Sequence, residues 1–134
     1  MNTENERIFC TQFINGKRQE RMFYELSHPK KRVCALSRFC HNAESVLKAG
    51  CLVERSCSSD VNELRKMIRG VFSSVRGYVM SWDEMDGTEQ WLADALQSGI
   101  ASGMGFAILV DAYTAFVREE QEQGAPEAFL LYVK

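Results

Sequence analysis

The sequence lacks the segments that direct a chain into or across a membrane. Residues 1–7 are polar and do not contain the apolar core of a signal peptide. The best candidate for a membrane span, residues 98–117, is interrupted by serine and glycine and contains Asp111, a carboxylate that is costly to place in lipid. We therefore expect a cytoplasmic protein with no membrane partner, whose first seven residues are disordered.

Cysteine pairs with the spacing of a zinc site are also absent. Structural zinc sites usually contain two cysteines separated by about two to four residues, whereas Cys34, Cys40, Cys51 and Cys57 are separated by at least five. The total of five cysteines is odd, which argues against a closed disulfide framework. We interpret the cysteines as buried thiols in a reducing compartment, and we expect no metal and no cofactor.

Motifs for nucleotides and calcium are incomplete. Gly99, Gly103 and Gly105 precede an apolar segment, but the lysine of a phosphate loop is missing and the spacing differs from that of a dinucleotide fold. The acidic segment 83–89 departs from the EF-hand pattern after its first elements. It can be a solvated loop, a patch that docks a partner with Trp82 or Trp91 as anchor, or a simple site for a divalent ion.

Charge is distributed unevenly along the chain. Residues 1–76 contain fourteen Lys and Arg against eight Asp and Glu, while residues 77–134 contain two against ten, and the total net charge is −2. Such asymmetry indicates a basic face that meets an anion, an acidic face that meets a cation, or two halves that pack on each other. Head-to-tail pairing of two copies is a further possibility, and the oligomeric state stays open.

Hydrophobic periodicity predicts an α+β fold, helix-rich, in one domain over residues 1–134. We expect about four helices, at 29–49, 60–76, 88–97 and 106–123. A small antiparallel sheet is expected from a hairpin around Asn15-Gly16, formed by 7–15 and 22–26, and from short strands at 51–53, 78–82 and 129–133. Two segments are ambiguous: 17–21 can start a helix, and 106–110 can be a buried strand.

Catalytic candidates are few. Cys40 and His41 are adjacent, but neighbouring residues on a helix point about 100° apart, and Cys40 lies on the predicted core stripe. Asp111 lies among apolar residues and needs a hydrogen-bond partner. Neither forms a constellation with a base and an orienting group.

Three classes of function follow. The first is a non-enzymatic protein of the immunity, antitoxin or inhibitor type, which binds a protein partner with a basic surface through acidic residues of the C-terminal half. Its predicted site is Trp82, Asp83, Glu84, Asp86 and Glu89. The second class is a nucleic-acid-associated accessory protein, which would use the basic residues Lys30, Lys31, Arg32, Arg65, Lys66 and Arg69. The third is an enzyme that uses Asp111 or the Cys40–His41 pair. We favour the first class.

Overall fold

The computed structural model describes residues 2–69, 76–120 and 126–133, with Arg69 described by its backbone only. Its helices are α1 (Thr3–Phe13), α2 (Gln19–Ser27), α3 (Arg32–His41), α4 (Ala43–Val46), α5 (Val61–Arg69) and α6 (Leu92–Ser102). Its strands are β1 (Leu52–Ser56), β2 (Arg76–Ser81), β3 (Glu89–Trp91), β4 (Phe106–Asp111), β5 (Thr114–Arg118) and β6 (Ala128–Tyr132). No helix in these ranges is long and apolar enough to cross a membrane.

The six strands form one sheet in the order β1-β6-β5-β4-β2-β3, and every neighbouring pair is antiparallel. Side chains alternate between its two faces. One face packs on α1–α4 and presents Tyr78, Met80, Ala107, Leu109, Ala115, Val117, Phe129 and Leu131. The other packs on α5 and α6 and presents Val79, Phe106, Ile108, Phe116 and Leu130. The α+β class is confirmed, with more helices and a larger sheet than the sequence predicted.

The N-terminal expectations are wrong. Residues 3–13 are helical rather than disordered or extended, because Asn2 caps the helix by accepting a hydrogen bond from the Asn5 N–H at 3.0 Å. Phe9 and Phe13, four residues apart, both face the core. Asn15-Gly16 does form a turn, but it joins two helices, and the alternative of a helix starting within 17–21 is confirmed by α2.

The helix predicted over 29–49 is shorter and interrupted. It begins at Arg32, and Asn42, with φ −133° and ψ 43°, separates α3 from the single turn α4. A serine shortly before a proline, as at Ser27 and Pro29, predicts the N-cap of this helix. Ser27 instead ends α2, where its hydroxyl donates to the Phe23 carbonyl at 2.7 Å.

The helix predicted over 106–123 is wrong, and the alternative of a buried strand at 106–110 is confirmed. Strands β4 and β5 meet in a tight turn in which the Asp111 carboxylate accepts the Tyr113 N–H at 2.8 Å. Both strands are covered on both faces, so residues 106–110 and 115–117 are continuously apolar and lack the alternation of a half-exposed strand. Residues 121–123 of that prediction lie outside the described residues.

The remaining elements agree more closely with the sequence. Strands expected at 51–53, 78–82 and 129–133 are confirmed as β1, β2 and β6. The sequence offers either Ser59 or Asp60 as the cap of this helix, and it is Asp60 that caps α5, since its carboxylate accepts the N–H groups of Asn62 and Glu63 at 2.8 and 3.3 Å. However, Arg76 belongs to β2 rather than to a helix, and residues 70–75 lie outside the described residues. The helix predicted at 88–97 starts later, at Leu92, after β3.

We predict that Gly105→Ala destabilises the fold by about 2–4 kcal/mol. Gly105 has φ +80°, and an added Cβ would lie 2.7 Å from the Cys40 sulfur and 2.9 Å from the Glu120 nitrogen. Gly50→Ala is the matched control, because a Cβ there meets nothing within 4 Å. Urea unfolding of both variants is the measurement, and equal stabilities would contradict the close packing at Gly105.

Candidate protein-interaction surface

A buried ion network occupies the place where the N-terminal helices meet the acidic loop. Arg32, at the start of α3, is 5% exposed. Its guanidinium contacts Glu6 at 2.7 Å and holds Asp86 through two hydrogen bonds of 2.7 and 2.8 Å. Tyr78 donates to the same Glu6 carboxylate at 2.6 Å. In these four residues, the buried ion network, two carboxylates share one guanidinium, and the charged groups are engaged with one another rather than with a partner.

The network also shifts the protonation of its members. Burial disfavours the charged form of Arg32, but its bonds with Asp86 and Glu6 outweigh this and raise the pKa of Arg32 above its ordinary value. Burial, together with the hydrogen bond to Glu6, raises the pKa of Tyr78 to about 12. Arg32 and Tyr78 are therefore held cationic and neutral, respectively, at physiological pH.

Asp83 is likewise turned inward. Its carboxylate accepts from the hydroxyls of Ser81 at 2.7 Å and Ser98 at 3.1 Å and from the Met85 N–H at 3.0 Å. Burial raises the pKa of Asp83, but these hydrogen bonds lower it more, so the net shift is downward. Asp83 thus fastens the loop after β2 to α6. Asp83 and Asp86, both predicted to bind a partner, are engaged in holding this loop.

The other predicted acidic residues face solvent. Glu84 in the loop and Glu89 in β3 are exposed, and Asp94 in the first turn of α6 is exposed as well. Trp91, between them, is 52% exposed, and the guanidinium of Arg76 lies 4.9 Å from its ring centroid. We call Glu84, Glu89, Trp91 and Asp94 the β3 edge surface. No described strand pairs with the outer side of β3, which is the last strand of the sheet.

A groove of about 260 Å³ adjoins this surface. It lies between α1, which contributes Asn5 and Ile8, and the ends of β2, β3 and β4. The carboxylates of Glu89 and Asp111 both line it, together with Arg76. The groove can therefore receive a side chain from a partner next to the exposed indole.

Trp82, the aromatic anchor predicted with the acidic loop, is half-buried and packs against the helical side of the core. Its indole Nε1 is buried and has no hydrogen-bond acceptor of good geometry. One edge of Trp82 borders an open groove along α3 that includes Val33 and Arg38. Trp82 is mainly a core residue, and Trp91 is the exposed tryptophan.

The basic residues predicted to bind nucleic acid do not act as one set. Arg32 is buried in the ion network and cannot reach a phosphate. Lys30 and Lys31 are exposed in the turn before α3, whereas Lys66 is exposed and Arg65 half-buried on α5, across the sheet. The side chain of Arg69 lies outside the described residues. Lys30 and Lys31 are adjacent in one turn, on the other side of the sheet from Arg65 and Lys66.

The catalytic candidates Cys40, His41 and Asp111 each make contacts that hold the structure. Burial raises the pKa of the Cys40 thiol to about 12, so the sulfur stays protonated and unreactive at neutral pH. His41 contacts Glu120 through Nε2 at 2.8 Å, and Asp111 holds the β4–β5 turn. Within the described ranges, no cluster of three or more His, Cys, Asp or Glu side chains could hold a metal ion.

Comparisons with known proteins identify no relative. No family model matches the chain. No curated protein and no solved structure matches it either. The function must therefore be inferred from the molecule itself.

Sequence reasoning missed two features of this region. Glu6, a partner of Arg32, lies in the segment expected to be disordered, and no local pattern marks it as buried. The helix predicted over 88–97 includes Trp91 on its inward face, whereas Trp91 precedes α6 and is exposed. The Arg76–Trp91 pairing across β2 and β3 could not be inferred until β3 was recognised as a strand.

We predict that Asp86→Asn lowers the free energy of unfolding by about 2–4 kcal/mol, because it leaves a buried guanidinium with one carboxylate fewer. Glu89→Gln removes the same charge from an exposed site and should change stability by less than about 0.5 kcal/mol. Chemical denaturation distinguishes the two. A similar small effect for both would show that Asp86 is not part of a stabilising network.

We predict a pH-dependent contribution from Glu25. The hydrogen bond from Arg38, above all, lowers the pKa of this buried carboxyl below its ordinary value of 4.5. Since the folded state then binds the proton less readily than the unfolded state, the stabilisation is complete above pH 4.5 and is lost as the pH falls through the lowered pKa. Wild-type protein should thus exceed Glu25→Gln in stability near pH 7, and the difference should shrink below pH 4. A difference independent of pH would refute this.

Proposed function

We propose that this chain is a non-enzymatic binding protein, of the immunity, antitoxin or inhibitor type, that docks a basic protein partner on the β3 edge surface. The observation that carries the proposal is the exposed Trp91 on an edge strand, with exposed carboxylates two residues before it (Glu89), three residues after it (Asp94) and in the preceding loop (Glu84). Exposed aromatic side chains flanked by polar groups are typical anchors of protein interfaces.

Charge supports a basic partner. Glu84, Glu89 and Asp94 are exposed and make no ion pair within the described part of the chain. A lysine or arginine of the partner could enter the groove between Glu89 and Asp111, while its aliphatic stem packs on Trp91. An acidic field at the surface would also accelerate association with a basic partner.

The backbone of β3 adds a second mode of contact. No described strand pairs with its outer side, so an extended segment of a partner could add there, as in strand addition to a sheet edge, although the Glu89 carbonyl already accepts from Arg76 Nη2 at 3.4 Å. The strand has only three residues, so such pairing would be short. Affinity would then depend mainly on Trp91 and the neighbouring carboxylates.

The test is affinity capture from the source cell with three variants. The first is Trp91→Ala. The second combines Glu84→Gln, Glu89→Gln and Asp94→Asn. The matched control combines Glu4→Gln, Glu20→Gln and Glu54→Gln, which removes three exposed carboxylates from the basic half of the chain. Asp83 and Asp86 are left intact, because their loss would disturb the fold.

We expect a protein partner that binds the wild type and the control in fixed stoichiometry. Trp91→Ala should weaken the purified complex by about tenfold or more. The triple variant should slow association, most clearly at low salt. Equal binding by all forms would refute the β3 edge surface. Nucleic acid in the eluate, released by Lys30→Ala with Lys31→Ala, would favour the basic surface instead.

A further inference from the structure

Arg118 is the one feature of β5 that does not fit an apolar core. Its neighbour two residues earlier, Phe116, packs in the core beneath α5 and α6, and the alternation of the strand directs Arg118 to the same face. The residue is only 1% exposed. A leucine or methionine would fill such a position without the cost of burying a charge.

The guanidinium of Arg118 is poorly satisfied. Its Nη2 donates to the Ser59 hydroxyl at 3.0 Å, while Nε and Nη1 are buried and have no hydrogen-bond partner. No carboxylate of the described residues forms an ion pair with it. Burial lowers its pKa, but arginine remains charged in proteins. A buried cation with unused donors requires an anion or another acceptor.

The described hydrogen-bond partner of this cation, Ser59, lies at the surface. Ser59 is exposed and lies immediately before Asp60, the cap of α5. The positive end of this nine-residue helix adds to the local potential. Asp60 and Glu63 are the nearby carboxylates, but both are engaged: Asp60 by backbone N–H groups of α5, and Glu63 by the Ser58 hydroxyl at 2.6 Å. Neither reaches Arg118.

We propose that Arg118 and Ser59 form an oxyanion site for a phosphoryl group, either as free inorganic phosphate or as a phosphate ester on Ser59. The planar guanidinium can donate two parallel hydrogen bonds to phosphate oxygens. The Ser59 oxygen already stands at hydrogen-bond distance from Nη2, so a phosphorus atom bonded to it would bring further oxygens towards the unused donors. The site is formed by β5 and the segment just before α5, and it is independent of the β3 edge surface.

The ester requires a protein kinase and a nucleoside triphosphate. The bond between the Ser59 oxygen and the γ-phosphorus forms, and the bond from that phosphorus to the bridging oxygen breaks. The nucleoside diphosphate leaves with the bonding electrons, and the hydroxyl proton passes to a base of the kinase. The added phosphate then pairs with Arg118 within the same molecule.

The test compares thermal unfolding in phosphate and in chloride at equal ionic strength and pH. A second arm uses protein with phosphoserine incorporated at position 59. Variants are Ser59→Ala, Arg118→Met and, as a matched control, Arg55→Met. Arg55 is an exposed arginine already paired with Glu44 and Glu127.

We expect the midpoint of unfolding to rise by about 3–6 °C in at least one arm. A rise with inorganic phosphate that persists in Ser59→Ala identifies a free anion, whereas a rise with phosphoserine alone identifies the ester. Arg118→Met should abolish either effect, while Arg55→Met should retain it. No rise in both arms, or a rise that survives Arg118→Met, would overturn the proposal.

Arg118→Met is expected to fold, since an apolar side chain of similar length replaces an uncompensated charge. Should it fail to fold, the NMR resonance of the Arg118 Nε–H group gives a second readout in wild-type and phosphoserine protein. A shift of this resonance on titration with phosphate, or in the phosphoserine form, supports the site. An unchanged resonance in both overturns it.

Discussion

The position of the helical layer on the sheet depends on one guanidinium. Arg32 connects α1 through Glu6, the end of α2 through the Leu26 carbonyl at 2.9 Å, and the loop after β2 through Asp86. Removing a charged group from water is costly, so Arg32 can be buried only where all three partners converge. A displacement of α1 or of the loop would break charge-assisted hydrogen bonds in a dry environment. The network therefore selects one packing arrangement among the many that hydrophobic contact alone would allow.

Some of the unevenly distributed charges of the chain are paired with each other inside the molecule. Arg32–Asp86, Arg55–Glu127 and His41–Glu120 each join the basic first part of the chain to the acidic second part. Part of the asymmetry is thus satisfied within the molecule, in line with one of the three interpretations open from the sequence. The acidic residues that remain exposed along the loop, β3 and the first turn of α6 are those that a partner can reach. Charge layout alone could not separate these two groups.

Sequence patterns predicted an element correctly where its structure depends on its own residues. The cap at Asp60 and the apolar runs of β2 and β6 were read correctly because they depend on short-range chemistry. Strands β4 and β5 were misread because burial on both faces removes the alternation that marks a strand. For the candidate surface, the sequence predicted Glu84 and Glu89 together with Asp83 and Asp86 and could not distinguish the exposed pair from the engaged pair. That distinction depends on Arg32, more than fifty residues away in sequence, and on Ser98 in a helix that follows later.

The two buried arginines show how differently one fold can treat the same charge. Arg32 and Arg118 are 5% and 1% exposed, so both lose most of their hydration. Two carboxylates and a carbonyl replace the lost water around Arg32. Its burial therefore depends on the packing of the helices and the loop that provide these groups. Arg118 makes only one hydrogen bond, to the Ser59 hydroxyl, although it lies in a strand where an apolar residue would pack without the cost of burying a charge. Because a purely structural role would favour the apolar residue, the retained charge is best understood as a group reserved for a ligand that enters through Ser59.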